Sequence, residues 1–317
     1  MDGRLVRKTR INNTELDVSQ FCLGTMNFGS RDSKAVSYAM LDQYVDGGGN
    51  FLDTANNYAV WVGEGGESEA MLGQWMQERG NREHMVVASK AGCPTKDAPM
   101  SSKPEHILAE CDRSLMRLQT DYIDLFYYHV DDRTVPLEVQ LETMDKLTRS
   151  GKVRYIGASN FKAWRLAEAA AVSAANDYPA FCTVQQRYTY LRPRIDANFN
   201  VQVSANDDLL EYCQERNLQL IAYSSLLSGA YGREDRKIQK QYRHADTDVR
   251  KAVLLRTAQE LAVTPNQVLL AWLTGRGIIP VTGASTQEQM QESMAAFDLT
   301  LPEAILDRLD GAGAKLE

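Results

Sequence analysis

The sequence predicts an α/β fold: a (β/α)8 TIM barrel with an N-terminal hairpin and a long loop after the seventh strand of the barrel. Short apolar runs alternate eight times with longer amphipathic runs, and no linker or low-complexity segment divides the 317 residues. Short runs that are apolar on both faces are typical of parallel strands buried on both sides. Eight strands alternating with eight helices match a barrel. A doubly wound open sheet, built from the same units, is the alternative.

The strand-like runs are rich in Val, Ile, Tyr and Phe, and in chain order they cover residues 21–26, 50–53, 85–90, 122–129, 153–159, 181–186, 218–224 and 277–281. Segments with helical spacing of apolar residues cover 33–47, 68–78, 103–118, 136–149, 161–175, 203–215, 249–262 and 286–296. Helix-start signals include Pro104, Thr264 before Pro265, and the capping-box spacing of Ser285 and Glu288.

Two segments stand outside this repeat. Residues 5–16 predict a short hairpin around Asn12 and Asn13. Residues 226–249 are too long and too charged for a simple connection, and such loops in compact domains usually bind ligands or act as lids. We expect residues 1–317 to form a single barrel domain.

Composition excludes several classes of function. The net charge is −7, from 42 acidic and 35 basic residues without a basic block, which argues against nucleic-acid binding. No apolar run approaches the roughly 18 residues that span a membrane, and the first residues carry no apolar signal segment. Five cysteines and four histidines are scattered, so we predict neither a disulfide framework nor a metal site. A cytoplasmic protein fits best, and its oligomeric state stays open.

Four polar residues lie at or just beyond the ends of three successive predicted strands: Asp53, Tyr58, Lys90 and His129. In an α/β barrel this edge carries the active site. A buried Lys90 needs a carboxylate partner, and Asp53 is available. The ammonium is expected to lower the pKa of Tyr58 and make it a general acid near neutral pH. Each residue taken alone is explained better by capping, solvation or packing than by catalysis, so the prediction depends on the set.

Residues 51–58, Phe-Leu-Asp-Thr-Ala-Asn-Asn-Tyr, resemble the F-[DI]-D-T-A-x-x-Y signature of the aldo-keto reductase superfamily. Further matches to family motifs follow the family's order over nearly the whole chain: 22–29, 87–90, 122–129, 151–161, 221–226 and 279–285. Ser225 replaces a proline of the family's A-Y-S-P-L motif. Several ordered matches are much more specific than one motif alone.

The resemblance implies a barrel that binds a nicotinamide dinucleotide across its mouth, with Asp53, Tyr58, Lys90 and His129 as the catalytic tetrad. It implies an NAD(P)(H)-dependent oxidoreductase that reversibly reduces an aldehyde or ketone to an alcohol, with Tyr58 as the proton donor. A dinucleotide-binding regulatory subunit that senses redox state is the alternative. A sugar epimerase or isomerase barrel would need a metal cluster or a phosphate site, and neither is evident in the sequence.

Cofactor contacts are implied in the same way. The family's pattern assigns the carboxamide to Ser159, Asn160 and Gln185, and the stacking ring to Tyr223. The remaining implied contacts are Gly24, Thr25, Met26, Asp53, Ser224, Leu226, Ser228, Arg233, Gly283, Ser285, Thr286, Gln289 and Ser293.

The choice of dinucleotide is left open. NADP(H) is the family default, and it needs a cation near the ribose 2′-phosphate. Residues 285–293, where the family often has Lys or Arg, contain two acids and no base. Arg233 and Arg276 are candidate substitutes, and NAD(H) or dual use remains an alternative.

The expected substrate is a small carbonyl compound or alcohol. Tyr58 and His129 would contact it, and Phe28, Trp61 and Tyr188 would line the pocket, with Tyr128 and Tyr190 nearby. An aromatic pocket that carries hydroxyl groups favours a sugar-like carbonyl.

Overall fold

A closed barrel of eight parallel strands forms the centre of the molecule in a computed structural model that describes residues 6–313. Its strands are β3 (Cys22–Gly24), β4 (Phe51–Asp53), β5 (Val86–Ala91), β6 (Ile123–Tyr128), β7 (Val153–Ser159), β8 (Thr183–Arg187), β9 (Gln219–Tyr223) and β10 (Ile279–Thr282). Each lies within or overlaps one predicted run. The pairing of β10 with β3, Val281 opposite Cys22, closes the sheet, so the barrel is confirmed and the open-sheet alternative is wrong.

Ten α-helices lie in the described part of the chain: α1 (Lys34–Asp46), α2 (Glu67–Arg79), α3 (Pro104–Leu118), α4 (Leu137–Arg149), α5 (Ala163–Asn176), α6 (Asp207–Glu215), α7 (Ala245–Glu260), α8 (Pro265–Gly275), α9 (Gln287–Ala295) and α10 (Glu303–Asp310). The predicted segments overlap all of these except α8 and α10, and α2, α5 and α7 extend beyond the predicted bounds. Only the start of α8 is predicted, by Thr264 before Pro265. In the structure Thr264 and Gln267 form a capping box there. Its residues 268–273 are all buried, so its sequence shows no polar stripe to mark a surface helix.

The predicted hairpin is present, with a shifted second strand. Strand β1 (Lys8–Arg10) pairs antiparallel with β2 (Asp17–Ser19), so the second strand follows the predicted range and residues 11–16 form the turn. Leu5 lies outside the described residues. The apolar side chains of the hairpin, among them Ile11 and Val18, pack with Phe51 and close the N-terminal end of the barrel.

Successive residues of each strand point alternately into the barrel and outward to the helices. Phe51, Val86 and Leu125 belong to the apolar cluster inside the barrel, and the residues beyond them at the carboxyl ends of the same strands include Asp53 and Lys90. The other apolar cluster lies between barrel and helices. The polar layer therefore lies at the carboxyl edge of the barrel, on an apolar floor.

The long connection after β9 runs to the start of α7 at Ala245, four residues earlier than predicted. It contains two short 3-10 turns, Leu227–Gly229 and Lys240–Tyr242. None of the helices in residues 6–313 combines the length and apolar character that crossing a membrane requires. Within the same residues, the side chains able to ligate a metal do not gather in groups of three.

Candidate active site

Lys90 is the centre of a buried polar network at the carboxyl ends of β4 and β5. Its side chain is fully buried, and Nζ donates to Asp53 Oδ2 at 2.7 Å, to the Thr54 carbonyl at 2.7 Å and to Tyr58 Oη at 3.0 Å. An ammonium has three donors, and all three are used. Burial alone would lower the pKa of Lys90, but Asp53 and Tyr58 together raise it above its ordinary value. Lys90 is therefore a fixed positive charge at neutral pH.

Tyr58 lies in the loop after β4, which turns back so that the Gly66 N–H donates to the Tyr58 carbonyl at 3.0 Å. The two glycines before α2, Gly65 and Gly66, have φ of 95° and 89°, a region that residues with a side chain rarely adopt. Burial raises the pKa of Tyr58 to about 12, and the charge of Lys90 opposes this shift without reversing it. The expectation of a lowered pKa is therefore wrong for the free protein, since burial outweighs the ammonium. Tyr58 is a protonated phenol at neutral pH.

Asp53 is held from two sides. Its Oδ1 accepts a hydrogen bond of 2.7 Å from Gln185 Nε2, while Oδ2 takes the Lys90 ammonium. The Asp53 carbonyl accepts from the backbone N–H and the hydroxyl of Thr25, both at 2.9 Å. Ser159 Oγ in turn donates to the Gln185 carbonyl at 2.9 Å. Side chains from β5 and β8 thus hold the two oxygens of the carboxylate that β4 supplies.

His129 follows β6, with its ring centroid 6.0 Å from that of Tyr58 and the rings tilted by 73°. Burial lowers the pKa of His129 to about 3, with a further contribution from Lys90, so the imidazole is neutral. Its Nδ1 is buried and has no hydrogen-bond partner among the described residues. Nε2 is left as the ring nitrogen that can reach a ligand.

Asn160 connects the ends of β6, β7 and β9. Its Oδ1 accepts from Tyr223 Oη at 2.7 Å and from the Val203 N–H at 3.1 Å, while Nδ2 donates to the His129 carbonyl at 2.9 Å. Its φ of 62° lies in the left-handed region, which Asn tolerates better than most residues. The structure thus uses the amide of Asn160 to fix the half-buried ring of Tyr223 at the mouth.

Behind Tyr223 lies Arg187, a residue that the sequence analysis did not select. The residue is 7% exposed, and its guanidinium lies 6.0 Å from the Tyr223 ring centroid. It bonds to the neutral groups of Gln202, Gln239 and Tyr242. These bonds connect the loop after β8 and the loop after β9 to the end of β8. No sequence motif marked it.

The other predicted cofactor residues lie along the edge formed by β3, β9 and β10. Ser224 and Ser228 adopt left-handed φ of 57° and 58°, so the loop after β9 turns sharply through Leu226. Met26, Ser228, Gly283 and Thr286 are exposed, Gly24, Ser224, Leu226, Ser285 and Gln289 are partly buried, and Thr25 and Ser293 are buried. Gln289 accepts from the Ser285 N–H at 2.9 Å and donates its own N–H to Thr286 Oγ1 at 3.2 Å, which fixes the start of α9.

Of the two arginines proposed as cations for this edge, one lies elsewhere and the other is paired with an acid. Arg276 follows α8, before β10 begins, and bonds to Asp310, Glu303 and Asp307 at the opposite end of the barrel. That candidate is therefore wrong. Arg233 is exposed and paired with Asp235 at 2.9 and 2.6 Å. A different residue, Arg31 in the loop between β3 and α1, donates to Ser285 Oγ. Only closure of the barrel brings these two loops together.

The predicted aromatic pocket is not formed. Tyr128 points away from the barrel and donates to the Gln140 carbonyl of α4 at 2.9 Å, while Tyr188 and Tyr190 pack on Trp272 with ring centroids 5.8 and 5.5 Å apart. Phe28 is 1% exposed and lies in the outer apolar cluster. Strand alternation directs Tyr128 outward. Trp61, in the loop that carries Tyr58, is 53% exposed and remains as a predicted substrate contact.

Comparisons with known proteins show the family of the chain. A family model described as "Aldo/keto reductase family" matches residues 20–314. The chain is 30% identical to the uncharacterized oxidoreductase YrpG of Bacillus subtilis, over 95% of this chain and 94% of that protein. It is 29% identical to the protein tas of Escherichia coli (95% and 96%) and 29% identical to the norsolorinic acid reductase stcV of Emericella nidulans (90% and 76%).

A solved structure of the thermostable aldo-keto reductase Tm1743 superposes with a TM-score of 0.76 at 24% identity, covering 96% of this chain and 98% of that one. This likeness supports the fold.

Proposed function

Because the chain belongs to the Aldo/keto reductase family, we propose that it is an NAD(P)(H)-dependent oxidoreductase that reversibly reduces an aldehyde or ketone to an alcohol. The observation that carries the proposal is the buried Lys90, whose Nζ donates both to Asp53 Oδ2 at 2.7 Å and to Tyr58 Oη at 3.0 Å. A charge fixed beside a phenol at the mouth of a barrel is suited to proton transfer to a substrate oxygen.

The donor set fits a nicotinamide dinucleotide. Tyr223 offers a half-buried ring for stacking, and Gln185 retains an Oε1 without a partner among the described residues, which can accept from a carboxamide N–H. The sharp turn at Ser224–Ser228 would hold the diphosphate. When bound in its reduced form, the dinucleotide supplies a hydride to the carbonyl carbon.

The chain's own residues handle the proton. Tyr58 donates its hydroxyl proton to the carbonyl oxygen as that oxygen becomes an alkoxide, and the phenolate that remains is stabilised by Lys90. Asp53 and Gln185 keep Lys90 in place. Neutral His129 donates a hydrogen bond to the same oxygen and orients the carbonyl. Tyr58 then regains a proton from solvent.

With a pKa of about 12, Tyr58 is ready to donate a proton at neutral pH and poorly prepared to accept one. We therefore propose that near neutral pH the resting protein holds Tyr58 in the protonated form that carbonyl reduction requires. Since the aromatic pocket is not formed, the support for a sugar-like substrate is lost, and the proposal extends to aldehydes and ketones in general.

The test is a titration of the protein with NADPH and with NADH, followed by quenching of tryptophan fluorescence, and then a panel of aldehydes and ketones monitored by the absorbance of the reduced nicotinamide. Tight binding of at least one dinucleotide together with turnover of some carbonyl supports the proposal. Absence of binding contradicts it. Binding without turnover across the panel favours the redox-sensing alternative.

A further inference from the structure

Arg31 places a positive charge on a segment whose own sequence has none. Its guanidinium donates to Ser285 Oγ in the loop after β10, although the two residues are 254 positions apart. Among the described residues of the 285–293 segment there are two acids and no base. Arg31 comes from the loop after β3, which neighbours β10 because the barrel closes there.

The acids of this segment do not cancel that charge. Glu292 accepts from Thr264 Oγ1 at 2.6 Å and from Asn266 at 3.3 Å, so its carboxylate is turned to the start of α8. Glu288 is exposed to solvent, where screening weakens its field.

Asp32 positions the guanidinium. Its side chain is 4% exposed, and Oδ1 lies 3.4 Å from Arg31 Nε, while the Arg31 side chain is 61% exposed. The carboxylate thus holds one edge of the guanidinium fork, and the outer edge faces solvent beside Ser285. A planar guanidinium with free donors is the protein group best suited to a phosphate.

We propose that Arg31 binds the 2′-phosphate of NADP(H) and makes the protein select NADP(H) over NAD(H). The inference rests on the proposed function, in which Ser285, Thr286 and Gln289 border the adenosine end of the dinucleotide. It assigns the selectivity to a residue of the β3–α1 loop, because Arg276 lies at the wrong end of the barrel. Arg233 gives both Nε and Nη2 to Asp235 at 2.9 and 2.6 Å, whereas Arg31 has a single, longer contact of 3.4 Å with Asp32.

The experiment compares four proteins: wild type, Arg31→Met, Arg31→Lys and Lys34→Met. Lys34 is the matched control, because it lies three residues away and carries the same charge but bonds to Glu78 at 2.9 Å. Each protein is titrated with NADPH and NADH by fluorescence quenching, at low and at high salt. Binding of 2′,5′-ADP and ADP by calorimetry isolates the adenosine end.

We expect wild type to bind NADPH more tightly than NADH, and Arg31→Met to weaken NADPH about ten- to a hundredfold, the usual range for a lost charge-assisted contact. NADH affinity should stay within about twofold, which also shows that the variant is folded. Arg31→Lys should recover part of the selectivity, and Lys34→Met should resemble wild type. The salt dependence of NADPH binding should fall in Arg31→Met.

Equal loss of both dinucleotides in Arg31→Met, unchanged selectivity in that variant, or a wild-type preference for NADH would overturn the assignment of Arg31 while leaving the oxidoreductase proposal intact. Wild-type protein that binds neither dinucleotide would overturn both, and this outcome is visible before any variant is made.

Discussion

The pH dependence of the two reaction directions follows from the pKa of Tyr58. Burial raises this pKa to about 12, so at pH 7 only about one molecule in 10⁵ carries the phenolate. Reduction uses the phenol, and oxidation of an alcohol uses the phenolate as the base. We expect kcat/KM for reduction to be flat from about pH 6 to about pH 10, and kcat/KM for oxidation to rise about tenfold per pH unit over the same range.

The assay is the initial rate of each direction under kcat/KM conditions, which report the ionisation of the free enzyme. Circular dichroism at each pH checks that the protein stays folded. An alkaline fall in reduction near pH 8, with a plateau in oxidation above it, would refute the reasoning. That result would mean that Lys90 outweighs burial and lowers the pKa of Tyr58, as the sequence alone had suggested.

Two further predictions concern the free energy of unfolding. Lys90→Met leaves the buried carboxylate of Asp53 without its cation and should lower the free energy of unfolding in urea by about 3 to 5 kcal/mol. Lys34→Met breaks an exposed pair and should lower it by less than about 1 kcal/mol. Equal losses in the two variants would contradict the role of Lys90 as the partner of a buried carboxylate. His129 has a native pKa of about 3 against an ordinary 6.5, so the unfolded chain binds a proton first as the pH falls below about 6.5, and stability is lost from there toward about pH 3. His129→Asn should lack this part of the acid sensitivity, and identical loss in both proteins between pH 7 and pH 5 would contradict a buried neutral imidazole.

Much of the fold and the centre of the site could be predicted from the sequence, because both depend on local pattern and strand order. Strand runs that are apolar on both faces and alternate with amphipathic helices predict repeated β/α units with parallel strands, and the eightfold count favours a barrel over an open sheet. Parallel strands place Asp53 and Lys90 at one edge. The bond from Lys90 Nζ to Asp53 Oδ2 at 2.7 Å realises that expectation.

What the sequence could not predict depends on long-range packing. The pKa of Tyr58 depends on how the loop after β4 encloses the phenol. The outward direction of Tyr128 depends on strand register, and the packing of Tyr188 on Trp272 depends on the placement of α8. The contact of Arg31 with Ser285 needs closure of β10 on β3.

Tyr58→Phe tests the central claim most directly, because it removes one hydroxyl and leaves Lys90 its bonds to Asp53 and Thr54. The matched control is Tyr122→Phe, which alters a tyrosine that precedes β6 at the far end of the barrel and is stacked between Arg82 and Arg154. With a carbonyl substrate, Tyr58→Phe should lower kcat about 10²- to 10⁴-fold and keep dinucleotide affinity within about twofold, while Tyr122→Phe should retain wild-type kcat. A Tyr58→Phe protein with kcat within about tenfold of wild type, or with binding and turnover lost in equal measure, would contradict the role of Tyr58 as the proton donor.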